Sequence, residues 1–201
     1  MNTEKFWQWF VDNSEALTMQ DDLDPKEKEQ LLEELQHQLE DYCQGLTYEI
    51  GEPTPTGRTF TVSAEGDTDL FRYVVELIDN APDVDWWTMV AFRQPQGKDL
   101  RVVFDKFRFE TKKMYFLQLE NEVEPDILGV RVALPDPVDD DEDQLVGVYV
   151  TLEALIGEFD CATLVGYIET GAIPEQPELE GYMPMDDFPE FVEWFKRKRD
   201  Q

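Results

Sequence analysis

LTYEIGEPTPTGRTFTVSA, residues 46–64, decides the fold class. Leu46, Tyr48 and Ile50 alternate with polar residues, residues 52–57 gather proline and glycine into a turn, and Phe60, Val62 and Ala64 alternate again. A period of two broken by a turn predicts the two strands of a hairpin. Just upstream the period is helical. Asp24 stands as an N-cap ahead of Pro25, and Leu31, Leu32, Leu35, Leu39 and Tyr42 recur at helical spacing as far as Gly45. Residues 4–17 predict another helix, with Phe6, Phe10 and Leu17 in line, Trp7 and Trp9 flanking them, and Glu4, Gln8 and Asp12 on the polar face.

Downstream of the hairpin, Asp67 is expected to cap a third helix carrying Leu70, Phe71, Val74, Val75, Leu77 and Ile78. Residues 86–92 are almost unbroken apolar sequence and predict a central strand covered on both faces, with Trp86 and Trp87 pointing to opposite sides and both read as core. The same order then recurs. Residues 114–119 and 128–134 read as strands, 145–156 as a helix ended by Gly157, and 163–168 as a further strand, with 101–110 as a connecting segment. The β-branched run 146–150 leaves a strand as the competing reading there. Asp187 is expected to cap a last helix bearing Phe191, Val192, Trp194 and Phe195, with Phe188 as a hydrophobic staple. The predicted architecture is α+β in one domain. Residues 1–45 are helical, ββαβ units at 46–94 and 113–170 share one mostly antiparallel sheet, and residues 187–199 form the C-terminal helix.

Of the 201 residues 41% are hydrophobic, and 13 Phe, 7 Tyr and 5 Trp demand a packed interior. Seventeen basic residues against 46 acidic ones leave a net charge of -29, which disfavours nucleic acid and anionic membranes as partners. The only compact basic run, Lys196 to Arg199, is expected to complement the negative end of the last helix. Cys43 and Cys161 make no disulfide framework and read as small buried residues. Residues 1–10 lack a basic leader pattern, and no apolar run approaches the roughly 18–20 residues of a membrane span, so the expected compartment is the cytoplasm.

No cofactor or metal is expected. The single histidine, His37, falls on the solvated side of the second helix, and the two cysteines are far apart, so no zinc motif can be written. The glycines are too dispersed for a phosphate loop, and Ser14 and Ser63 sit on predicted regular elements rather than on a nucleophile turn. Asp139, Asp140, Asp141, Glu142 and Asp143 are contiguous, whereas a calcium loop alternates its ligands around a glycine. They read as a solvated loop or, with the helix face Glu29, Glu33, Glu34 and Glu40, as a surface for a basic protein. Arg93 and Gln94 end the predicted strand before Pro95 and Gly97, a place where ligands often bind, with an internal ion pair at Arg93 as the competing reading.

The segments FWQWF, GLTYEIG, WWTMVAFRQP and IGEFDCATLVGYIE resemble small uncharacterised bacterial α+β proteins. The resemblance spans most of the chain, implies a bacterial origin and carries over no catalytic residue. The expected function is a noncatalytic interaction module that binds a basic partner, in the manner of an immunity protein or a nucleic-acid mimic. An enzyme with a carboxylate or arginine site, and acidity that serves solubility alone, are the alternatives.

Overall fold

The N-terminal helices form where the apolar periodicity places them. In the computed structural model, which describes residues 2–120, 123–139 and 141–199, α1 (Thr3–Thr18) begins at Asn2, whose side chain accepts the Lys5 N–H at 3.1 Å. α2 (Pro25–Tyr42) begins at Asp24, which accepts the Lys26 N–H at 3.0 Å, and it buries Leu35, Leu39 and Tyr42. Strands β1 (Thr47–Ile50) and β2 (Arg58–Ser63) are the antiparallel hairpin, with Tyr48 opposite Val62. α3 (Phe71–Asp79) then carries the chain to β3 (Trp87–Ala91), which runs parallel to β2, giving the order β1-β2-β3.

These elements belong to the first of two compact units, Met1–Arg93. Its core is aromatic. The Phe60 ring lies 4.9 Å from Phe10 and 5.8 Å from Tyr48, and Phe6 and Trp7 close around it. Trp7 Nε1 donates to the Leu77 carbonyl at 2.9 Å, and Trp87 Nε1 donates to Thr18 Oγ1 at 3.0 Å, so both indoles bury without an orphaned polar tip.

The second unit is Gln94–Gln201. Here β6 (Tyr115–Leu119) and β7 (Leu128–Leu134) are antiparallel, α4 (Glu142–Ile156) and α5 (Glu158–Leu164) follow, and β8 (Val165–Ala172) returns parallel to β7. A two-residue strand β9 (Met183–Pro184) pairs with β6, and α6 (Phe188–Arg199) ends the chain. The order is β8-β7-β6-β9. Six of the seven residues of β7 are buried, as an inner strand requires. Residues 146–150 are helical, because Asp141 caps the helix and Gly147, Val148, Thr151 and Leu152 bury one side of it. The basic C-terminal run fills the last turn of α6, and Lys196 also pairs with Asp160 at 2.8 Å and Glu193 at 2.9 Å.

Four expectations are corrected. The two ββαβ paths do not share a sheet: the described residues form three separate sheets of three, two and four strands. The reason lies in the supposed connector at 101–110, which pairs with itself. β4 (Arg101–Phe104) and β5 (Phe107–Glu110) are an antiparallel hairpin turning at Asp105, whose φ is 49°. Its apolar residues Val102, Phe104, Phe107 and Phe109 join the core of the second unit instead of extending the first sheet. Secondly, β3 is an edge strand, since β2 occupies the middle. Thirdly, Trp86 precedes β3 and is exposed, while Trp87 alone of the pair is buried. Lastly, Asp67 does not cap α3; its carboxylate accepts the Asp69 N–H at 3.0 Å, and the helix starts after Leu70. What the units do share is a path: in each, the first strand is antiparallel to the second and the third returns through helix parallel to the second.

Candidate functional site

The acidic segment is divided by its own geometry. Asp141 is the N-cap of α4: its Oδ1 accepts the Gln144 N–H at 3.0 Å and its Oδ2 accepts from Lys106 Nζ at 3.0 Å. The Gln144 N–H and then Lys106 hold its carboxyl below the ordinary carboxylate range. Gln144, buried at the same helix start, donates to the Asp136 carbonyl at 3.1 Å and accepts the Val138 N–H at 2.8 Å, which pins the preceding loop. Glu142 and Asp143 lie in the first helical turn rather than in the loop, where negative charge faces the positive end of the helix. Asp139 is exposed, and Asp140 lies outside the described residues.

Beside this helix start runs β8, and between them is a groove of about 630 Å³. Val138, Leu145 and Tyr167 give it exposed apolar surface, and Asp139, Glu142 and Glu169 give it charge. Among the described residues no lysine, arginine or histidine lines it. Tyr167, 58% exposed, donates its hydroxyl to Glu169 Oε1 at 3.1 Å, and that carboxylate raises the phenol above its usual value. Arg131 in turn donates through Nε to Glu169 Oε2 at 2.7 Å and lowers its carboxyl. Among the described residues Asp139 and Glu142 make no ion pair.

The other predicted residues fall elsewhere. Glu29, Glu33, Glu34 and Glu40 are all exposed on α2 in the first unit, with Glu34 and Glu40 accepting from Gln38 at 2.8 Å and Gln36 at 3.0 Å. At about 100° per residue Glu29, Glu33 and Glu40 form one line and Glu34 stands aside. Arg93 is an ion-pair residue. Its Nε donates to Glu49 at 2.6 Å, its Nη1 to Glu65 at 3.0 Å and its Nη2 to the other Glu65 oxygen, and this guanidinium lowers the Glu65 carboxyl. Gln94 is exposed at the start of the second unit.

Both thiols are buried, and burial pushes Cys161 up to about 12 and Cys43 in the same direction, the opposite of what a nucleophile needs. Among the described residues no group of three or more His, Cys, Asp or Glu side chains is placed to hold a metal ion, and no helix is long and apolar enough to cross a membrane.

Comparison of the chain with protein-family models, with curated proteins and with solved structures finds no match. The groove residues that sequence reading missed, Leu145, Tyr167 and Glu169, carried no separate signal. Tyr167 and Glu169 lie more than twenty residues from the acidic segment and come beside it only because β8 returns parallel to β7.

Proposed function

We propose that the protein is a noncatalytic interaction module and that the groove between the start of α4 and β8 takes a basic segment of a partner protein. One observation carries this reading: Asp139 and Glu142, which make no ion pair among the described residues, share the groove with the exposed side chains of Val138, Leu145 and Tyr167. Carboxylates that only keep a chain soluble need no apolar surface between them. A docking groove needs both, since burial of apolar area holds a complex while charge steers its encounter. The net charge of -29 adds long-range attraction for any cationic partner.

The probes are two short peptides of equal charge, one alternating lysine with leucine and the other lysine with serine, followed by amide chemical shifts. The lysine and leucine peptide should perturb Val138, Leu145 and Tyr167 first. Asp139→Asn with Glu142→Gln should weaken its binding several-fold, with most of the change in association rate and most of it gone at high salt. Equal binding of both peptides, or shifts spread evenly over the acidic surface, would remove the groove from any binding role.

A further inference from the structure

We infer that the first unit carries a separate receptor for one lysine or arginine side chain of a basic polypeptide, built around the indole of Trp86. Trp86 is 61% exposed and Met19 52%, and they line a cleft of about 490 Å³ with Ser14, Glu15, Thr18 and Asp85.

The backbone under Trp86 is what first marks the place. The Trp87 N–H closes a tight turn on the Val84 carbonyl at 3.0 Å, which leaves Trp86 third in the turn with φ at 69°. That position ordinarily takes glycine or asparagine, because a bulky side chain there crowds the main chain. The surroundings are cut to fit it. A Cβ on Gly57 would come within 2.2 Å of the Trp86 carbonyl oxygen, and the Arg58 N–H donates to that same oxygen at 2.8 Å. Trp87, by contrast, is buried and tied by its Nε1 to Thr18. A large aromatic residue held in a left-handed turn with most of its ring outside the core points to a use for the ring.

Charge around the cleft sets the class of occupant. Glu15 and Asp85 line it, neither carries an ion pair among the described residues, and no cation lines it. Glu15 also stands in the last turn of α1, which holds no basic residue, so a carboxylate sits at the negative end of the helix dipole. A docked ammonium or guanidinium relieves that repulsion and meets the negative face of the indole, while the Met19 thioether accommodates its alkyl stem. A neutral apolar occupant would instead desolvate two carboxylates without giving either a partner. The cleft shares no residue with the groove of the second unit, and the two sites stand or fall apart.

The test follows the Trp86 indole N–H resonance in the full chain during titration with N-acetyl-lysine amide, its ε-trimethyl form, and the uncharged isostere in which carbon replaces that nitrogen. Both cations should give a saturable shift, the trimethyl form binding about three- to ten-fold more tightly than the isostere. In the variants that lack the indole the binding is read from the Met19 methyl and Glu15 amide resonances of the same cleft: Trp86→Phe should keep most of it and Trp86→Leu should lose it, while Glu15→Gln with Asp85→Asn should weaken the cations and spare the isostere. Equal binding of isostere and cation, or undiminished binding to Trp86→Leu, overturns the proposal. The Asp139→Asn, Glu142→Gln protein should bind the trimethyl probe as the parent does, which separates failure here from failure of the groove.

Discussion

Arg58 shows how one side chain can be buried for its shape as much as for its charge. It is 6% exposed, pairs with Asp21, donates to the Gly51 carbonyl at 3.3 Å, and leaves its Nε without a partner. Since one of its nitrogens makes no bond and Asp21 remains half in water, most of its worth is packing. Arg58→Ala should therefore cost about 3 kcal/mol, and Arg58→Met less than half of that, by denaturant titration. The pair also leaves a mark on pH dependence. Hydrogen bonds from Arg58 and then Lys28 hold the Asp21 carboxyl down to about 2, below its unfolded value of 3.8. A depressed carboxyl stabilises the fold above the unfolded value and ceases to as pH falls through the folded one. Parent stability should thus decline between about pH 4 and pH 2, less steeply in Arg58→Met, measured by thermal midpoints across that range. Trp86→Gly tests the strained turn directly: loss of the crowded Cβ should leave the thermal midpoint unchanged or raised, even though the indole makes some contacts.

At the scale of elements, the contact of α4 with the β4–β5 hairpin fixes which residue can stand in the middle of the helix. A Cβ on Gly147 would fall 2.4 Å from the Phe109 ring and 3.1 Å from Phe104. Alanine has the better helix propensity by about 1 kcal/mol, but overpacking against a buried ring outweighs it. Gly147→Ala should destabilise by about 1–2 kcal/mol net, read by chemical denaturation, and a companion Phe109→Leu should recover part of the loss. The start of the same helix depends on Asp141, so neutralising the acidic segment wholesale would confuse binding with folding. Asp141→Ala should lower the thermal midpoint by a few degrees, and Asp141→Asn, which keeps the cap but not the charge pair with Lys106, by less.

For the molecule as a whole, -29 charges on 201 residues is a repulsion that folding must overcome. Added salt should raise the thermal midpoint as the Debye length shrinks from roughly 30 Å at 0.01 M to about 8 Å at 0.15 M. A midpoint insensitive to salt over that range would mean the carboxylates are compensated locally. Chelators should leave the midpoint where it is, because among the described residues no side-chain group is placed to hold a metal.

Local pattern alone determined a good deal of this protein. The cap at Asp24 and the leucine spacing that follows gave α2, alternation gave β1 and β2, and the largely apolar stretch 145–156 ended by Gly157 gave the body of α4, since each depends on neighbours within a few residues. Burial of Cys43 and exposure of His37 followed from the same helical period, whereas Cys161, also buried, lies in α5, a helix that the local pattern did not announce. What alternation could not say was which strands pair. Residues 101–110 alternate equally well as a bridge between sheets or as a hairpin, and only the space over α4, filled by Phe104 and Phe109, decided for the hairpin. Hydrophobicity likewise made Trp86 and Trp87 equal, and a single positive φ separated an exposed indole from a buried one. Both candidate sites have this origin: Tyr167 meets the acidic helix start, and Trp86 meets the end of α1, through contacts between residues distant in the chain, which no local period encodes.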